Sequence, residues 1–178
     1  MVLGPFETGL DEQYGFPTCR ECGHNFELSL EECRSLVASA PDLFAGLIEG
    51  RPEPKKRPAP ETWSPSGYVW HTSDWLRIQS LRVYSVEHDP AWTPDAWVLL
   101  DPDEIDGMFH YDRLPTASGV LALRQSVALF LTATEKLDPE RVIDHPSGAK
   151  PRILDILRMV THEIPHHALD IRRGLGIT

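Results

Sequence analysis

The stretch Ile153–Ile171, "ILDILRMVTHEIPHHALDI", decides how the rest of the chain is read. Its apolar residues Ile153, Leu157, Val160 and Ile164 recur at helical spacing and form one stripe on an ideal straight helix. His162 and His166 lie one turn apart on the same face, a spacing that lets both imidazoles bind one ion. That face points roughly opposite the apolar stripe, with Asp155 and Met159. Either a kink at Pro165 changes the phase of the helix, or the histidines line a cleft away from the central core. The stretch therefore predicts a last helix that starts at Pro151, carries a metal-ligating pair and stops near Gly174.

"HEIPH" also fits the H-E-x-x-H pattern of zinc hydrolases. Such an enzyme takes a third ligand downstream, but six residues beyond His166 stands Arg172, and no further helix follows before Thr178. Pro165 removes one backbone donor and crowds the carbonyl of Thr161. The hydrolase reading is the weakest of those the motif allows. In it Glu163 would be the general base; outside it Glu163 reads as a solvated carboxylate. His167 faces about 100° away from His166 and reads as a packing or surface residue.

Working upstream, the chain is helical with Pro-rich interruptions. "LSLEECRSLVASAPDLFAGLIEG" opens with Ser29 and Glu32, a capping-box pair, and Pro41 is expected to end or kink that first helix. "RPEPKKRPAPETW" holds four prolines and reads as an exposed connector. The second helix, "SPSGYVWHTSDWLRIQSLRVYSVEH", has Ser64 as N-cap and Pro65 at the first helical position. From His88 to Pro115 a long loop is expected, with one helical turn in "DPDEIDG". "TASGVLALRQSVALFLTATEKL" is the third long helix, capped by Thr116 or Ser118, and "DPERVIDHPSGAK" is a turn-rich connection. Four long helices with no period-2 strand predict an all-α helical bundle.

The second helix supplies a third imidazole. His71 shares its face with Tyr68, Trp75 and Ile78 and follows Trp63 by eight residues. "TWSPSGYVWHTSDW" together with the last helix resembles the DinB-like superfamily, in which a Trp-Ser pair opens the second helix, a His follows, and an H-x-x-x-H pair sits on the last helix. The resemblance spans roughly residues 61–173. It implies an antiparallel four-helix bundle with a metal site of three histidines, here His71, His162 and His166. Imidazole ligands suit zinc or nickel better than magnesium or calcium. Asp74 and Asp170 lie about one turn from His71 and His166 and are candidates to fix an imidazole tautomer.

A second constellation precedes the bundle. In "CRECGH" Cys19 and Cys22 have the spacing of a zinc knuckle, with Gly23 for the turn; Cys33 and His24 are the candidates to complete a structural zinc site. Inert or redox-active thiols are the alternative. Residues 1–28 accordingly form an N-terminal segment and residues 29–178 one bundle domain. With 178 residues and 41% apolar content, one compact domain is expected.

A formal net charge of −10 and a pI near 5.2 disfavour nucleic acid and anionic membranes as partners. No leader pattern or membrane-length apolar run is read, so a cytoplasmic protein is expected. Relatives implied by the resemblance include isomerases and S-transferases that use mycothiol or bacillithiol. The functional expectation is thus a metal-dependent enzyme acting with a low-molecular-weight thiol; the alternative is a non-catalytic metal-binding or sensing module, in either case with a homodimer as the expected assembly. Arg77, Arg82, Arg113 and Arg158 are candidate anchors for an anionic substrate.

Overall fold

The computed structural model describes residues 17–52, 54–89, 101–144 and 150–177. Among the described residues, five α-helices run in chain order as α1 (Leu30–Ile48), α2 (Pro65–His88), α3 (Pro102–Phe109), α4 (Thr116–Ala133) and α5 (Ile153–Leu175), with a 3-10 turn at Tyr111–Arg113. The four long helices form the expected bundle. No named strand occurs among the described residues; only two isolated bridges pair extended backbone.

Side-chain contacts fix the helix directions. Arg34, near the start of α1, donates to the Leu131 carbonyl near the end of α4, and Asp42 further along pairs with Arg124, so these helices are antiparallel. His71 on α2 faces Glu163 on α5, while Pro65 approaches Gly174, so this pair is antiparallel as well. The two pairs are set side by side. Thr116 donates to Ser66 and Ser73 bonds Ser126, so α2 and α4 run parallel, and α1 with α2 lies across a diagonal. Gly119 permits the α2–α4 approach, because a Cβ there would stand 3.0 Å from the Trp70 indole nitrogen.

Parallel α2 and α4 require a return crossing from Asp89 to Pro115. Its described part is more ordered than the loop expected from sequence. "DPDEIDG" belongs to α3: Asp101 caps the backbone of Asp103, Pro102 opens the first turn, and Asp103 and Glu104 complement the helix dipole. The acidic run is thus a helix start, and α3 with the 3-10 turn packs across α2. Residues 90–100 of this crossing, 1–16 of the opening and 145–149 of the last connection lie outside the described residues.

The caps show where local signals decide. Ser29 and Glu32 form the capping box of α1, and Ser64 accepts from Gly67 at the start of α2 with Pro65 behind it. Pro41 neither ends nor divides α1, which continues to Ile48. The N-cap of α4 is Pro115, not Thr116 or Ser118, because the Thr116 hydroxyl is taken up by Ser66. Pro151 does not open α5: its carbonyl accepts from Ile143 in a short bridge, and the helix begins at Ile153. Gly176, at φ 65°, rather than Gly174 closes α5.

Fully buried Val37, Phe44, Val69, Leu76, Leu123, Phe130, Leu157 and Ile164 join the four helices in one core. The α4 helix is long and apolar enough by composition to cross a membrane, and its core face packs against α1 and α2. A separate small cluster, Cys19 and Phe26 with Cys22 and Met159, lies under the N-terminal segment.

Candidate metal centres

One stretch of α5 carries two sets of side chains that could ligate a metal, offset by a single residue. His162 and His166 form one i,i+4 pair, and Glu163 and His167 form the next. The apolar stripe faces the bundle core as expected, which rotates Glu163 and His167 toward α2 and leaves His162 and His166 under the N-terminal segment. His71 accordingly meets Glu163 and His167, and the donor atoms of these three lie within 4.8 Å of one another. The trio His71, His162 and His166 is not among the groups the structure assembles. His162 and His166 instead gather with Cys19 and Cys22.

In the first cluster, Glu163 Oε2 lies 2.8 Å from His167 Nε2 and 3.5 Å from His71 Nε2. Asp170 Oδ2 stands 3.0 Å from His167 Nδ1, which fixes the ring and turns Nε2 toward Glu163. Asp170 therefore supports His167 rather than His166. Asp74 supports no imidazole in this way: it accepts a 2.5 Å hydrogen bond from the Tyr111 hydroxyl and pairs with Arg77. Aromatic rings wall the cluster, with Trp63 4.5 Å and Trp75 6.3 Å from the His71 ring, and Tyr68 5.0 Å from the His167 ring, centroid to centroid.

The electrostatics follow from that packing. Burial holds the His71 imidazole below its ordinary range, against the pull of the Glu163 hydrogen bond. Burial alone would also lower His167, but Glu163 and Asp170 outweigh it and raise the imidazole to about 9. Burial alone would raise Glu163, yet the His167 charge and hydrogen bonds from both histidines hold its carboxyl well below the usual range. At neutral pH the Glu163 carboxylate thus stands between a neutral His71 and a protonated His167, whose proton a bound cation would have to displace.

The residues fit a divalent transition metal. Two imidazoles and one carboxylate converge from two helices, and ligands at about 2.0–2.2 Å from an ion are themselves about 3.3 Å apart, close to the 2.8 and 3.5 Å separations present. His71 also lines a cleft of about 110 Å³ between α2 and α3, with Asp74, Trp75, Ile78, Arg82 and Tyr111. Of the arginines considered as anchors, Arg82 reaches this cleft, Arg77 is held by Asp74, and Arg158 donates to Leu28 and pairs with Asp155.

In the second cluster, Cys19 Sγ lies 4.0 Å from His166 Nδ1, and the His162 and His166 ring centroids are 4.8 Å apart. Burial lowers His162 to about 4, with His166 adding to the effect, and burial raises the Cys22 thiol to about 12. The other two residues expected at the knuckle stand aside. Cys33 is fully buried between α1 and α5 and accepts from the Thr161 hydroxyl. His24 uses its carbonyl to hold Cys19, and its ring packs 5.3 Å from that of His162.

Glu163 and His167 were not grouped with His71 from the sequence. The signal was the position of His162 and His166 opposite the apolar stripe, which already placed the neighbouring i,i+4 pair nearer the core.

The solved structures supply fold relatives. YfiT from Bacillus subtilis, described as a probable metal-dependent hydrolase with an unusual four-helix bundle topology, superposes with a TM-score of 0.69 at 12% identity over 85% of this chain and 92% of that one. A mycothiol-dependent maleylpyruvate isomerase superposes with a TM-score of 0.61 at 16% identity over 85% of this chain, which spans 63% of the isomerase. No curated protein matches the chain. The family model of the DinB superfamily matches residues 36–171, from within α1 to the last turns of α5, and the chain belongs to that superfamily.

Proposed function

We propose that the protein is a metal-dependent enzyme whose divalent ion, zinc or nickel, is held by His71, Glu163 and His167, with the substrate in the cleft beside α3. The carrying observation is the convergence of those three donors from α2 and α5 at the edge of a cleft that His71 also lines. A divalent ion held by three protein ligands keeps an open position, where it lowers the pKa of bound water or activates a thiolate.

The remaining roles fall to the chain's own side chains. Asp170 sets the tautomer of His167. Trp63 and Trp75 exclude water from the His71 side. Arg82 stands in the cleft wall, and a guanidinium there suits an anionic substrate group. Glu163 is a ligand in this reading, which removes it as the general base of a H-E-x-x-H hydrolase. A low-molecular-weight thiol as co-substrate, in an S-transferase or isomerase reaction, is supported by the likeness to the mycothiol-dependent isomerase. A hydrolytic reaction on activated water is the second reading, supported by the likeness to YfiT.

The test is a thermal-shift screen of low-molecular-weight thiols against metal-loaded and chelated protein. The expected result is that one thiol stabilises the metal-loaded form alone and that Arg82→Ala weakens the response to an anionic thiol. Thiols without effect on either form would remove the thiol-dependent reading, and metal binding with no ligand response would favour a non-catalytic metal module.

A further inference from the structure

We propose that Cys19, Cys22, His162 and His166 hold a structural zinc ion that fastens the N-terminal knuckle onto α5, separate from the centre at His71, Glu163 and His167. All four donor atoms lie within 4.8 Å of one another. A tetrahedral ion with two sulfur and two imidazole ligands separates its donors by about 3.3–3.8 Å, so closure around zinc needs small side-chain rotations and no backbone rearrangement.

The backbone of the knuckle has the form such a site requires. The Cys19 amide donates to the His24 carbonyl at 2.8 Å, the Gly23 amide donates to the Cys19 carbonyl at 3.0 Å, and Thr18 bridges to Asn25. Gly23 supplies the left-handed turn at φ 74°. These bonds present both sulfurs to the same side, toward His162 and His166.

The energetics of the segment call for a cross-link. Its buried apolar residues are Cys19 and Phe26, with Cys22 and Met159 beside them, a core apart from that of the bundle. Among the described residues this is a small core for the ordering of residues 17–28, at about 1–2 kcal/mol of backbone entropy per residue, and a metal cross-link would add to it. Phe26 packs on the His162 ring at 4.9 Å and covers the site from one side. Cys19 and His162 are almost fully buried, at 2% and 1% exposure, and Cys22 and His166 are half-buried; four protein ligands would leave no open position on the ion for a substrate. A closed site of two thiolates and two imidazoles selects zinc and serves structure; each cysteine gives up its thiol proton on binding. Because His162 and His166 interleave with Glu163 and His167, this ion would also hold rigid the helical turn that carries two ligands of the other centre.

The test uses the full chain purified without chelator. Zinc content is measured for the unaltered protein, the Cys19→Ser/Cys22→Ser double variant, His166→Ala and His71→Ala. The expected result is that the double variant and His166→Ala lose a zinc equivalent that His71→Ala retains. Replacement of zinc by cobalt(II) in the unaltered chain should give a sulfur-to-cobalt charge-transfer absorption and the strong visible bands of a tetrahedral ion. This spectrum stands even if the cysteine variants fail to fold. Thiol labelling should reach Cys19 and Cys22 only after chelation. A cobalt form without the charge-transfer band, labelling unaffected by chelator, or a Cys19–Cys22 disulfide in freshly purified protein would each overturn the proposal.

Discussion

Replacing Glu163 by Gln should change how the metal-free protein responds to pH, by an amount the geometry sets. Glu163 Oε2 lies 2.8 Å from His167 Nε2, and Asp170 Oδ2 lies 3.0 Å from Nδ1. Against the opposing effect of burial, these carboxylates raise the imidazole to about 9. A histidine whose pKa rises on folding contributes stability that is fully present below its unfolded value, near 6.5, and is lost as pH rises through its folded value. For a rise from about 6.5 to about 9, that contribution is roughly 2–3 kcal/mol at pH 7 and close to zero by about pH 10. Glu163→Gln leaves Asp170 in place but removes the closer carboxylate and most of the effect. The assay is urea denaturation of chelator-treated protein at several pH values between about 6.5 and 10, comparing wild type with the variant so that other titrations cancel. The difference in stability should fall by up to about 2–3 kcal/mol as the pH rises across that window. A difference that stays constant would show that His167 is not held protonated by Glu163.

Asp170→Asn should weaken metal binding at the His71 centre by about 10–100-fold, measured by competition with a coloured chelator, because the carboxylate that orients His167 is lost. Binding of the metal between about pH 7 and 8 should release a proton from His167, which calorimetry in buffers of different ionisation enthalpy would detect as a buffer-dependent heat. Gly119→Val should destabilise the fold by about 1–3 kcal/mol in urea titration, since its side chain would drive into Trp70 where α2 and α4 run parallel.

The elements legible in the sequence are those with local causes. Ser29 with Glu32 and Ser64 with Pro65 start their helices as read, because a cap is a contact between residues within one turn. Boundaries set by distant partners were not legible: Pro151 is drawn into a bridge with Ile143, and the hydroxyl of Thr116 is claimed by Ser66. The candidate site divides in the same way. The spacing within the HEIPHH turn marked it as a candidate, and the resemblance of the second helix to the DinB-like pattern singled out His71. Which of the turn's two overlapping i,i+4 pairs faces α2 could not be read, because that depends on the rotation of α5 about its axis, fixed by Val160, Ile164 and Ile171 in the core. The zinc-knuckle spacing of Cys19 and Cys22 was legible, but their neighbours His162 and His166 on α5 were not, being remote in sequence.

The most direct measurement is a crystal structure of the metal-loaded protein with anomalous difference maps recorded on both sides of the metal absorption edge. The expected result is an ion bounded by His71 Nε2, Glu163 and His167 Nε2, with Asp170 still on His167 Nδ1. An ion shared by His71 with His162 and His166, or no ion beside His71 at saturating metal, would contradict the assignment of the centre and the function proposed from it.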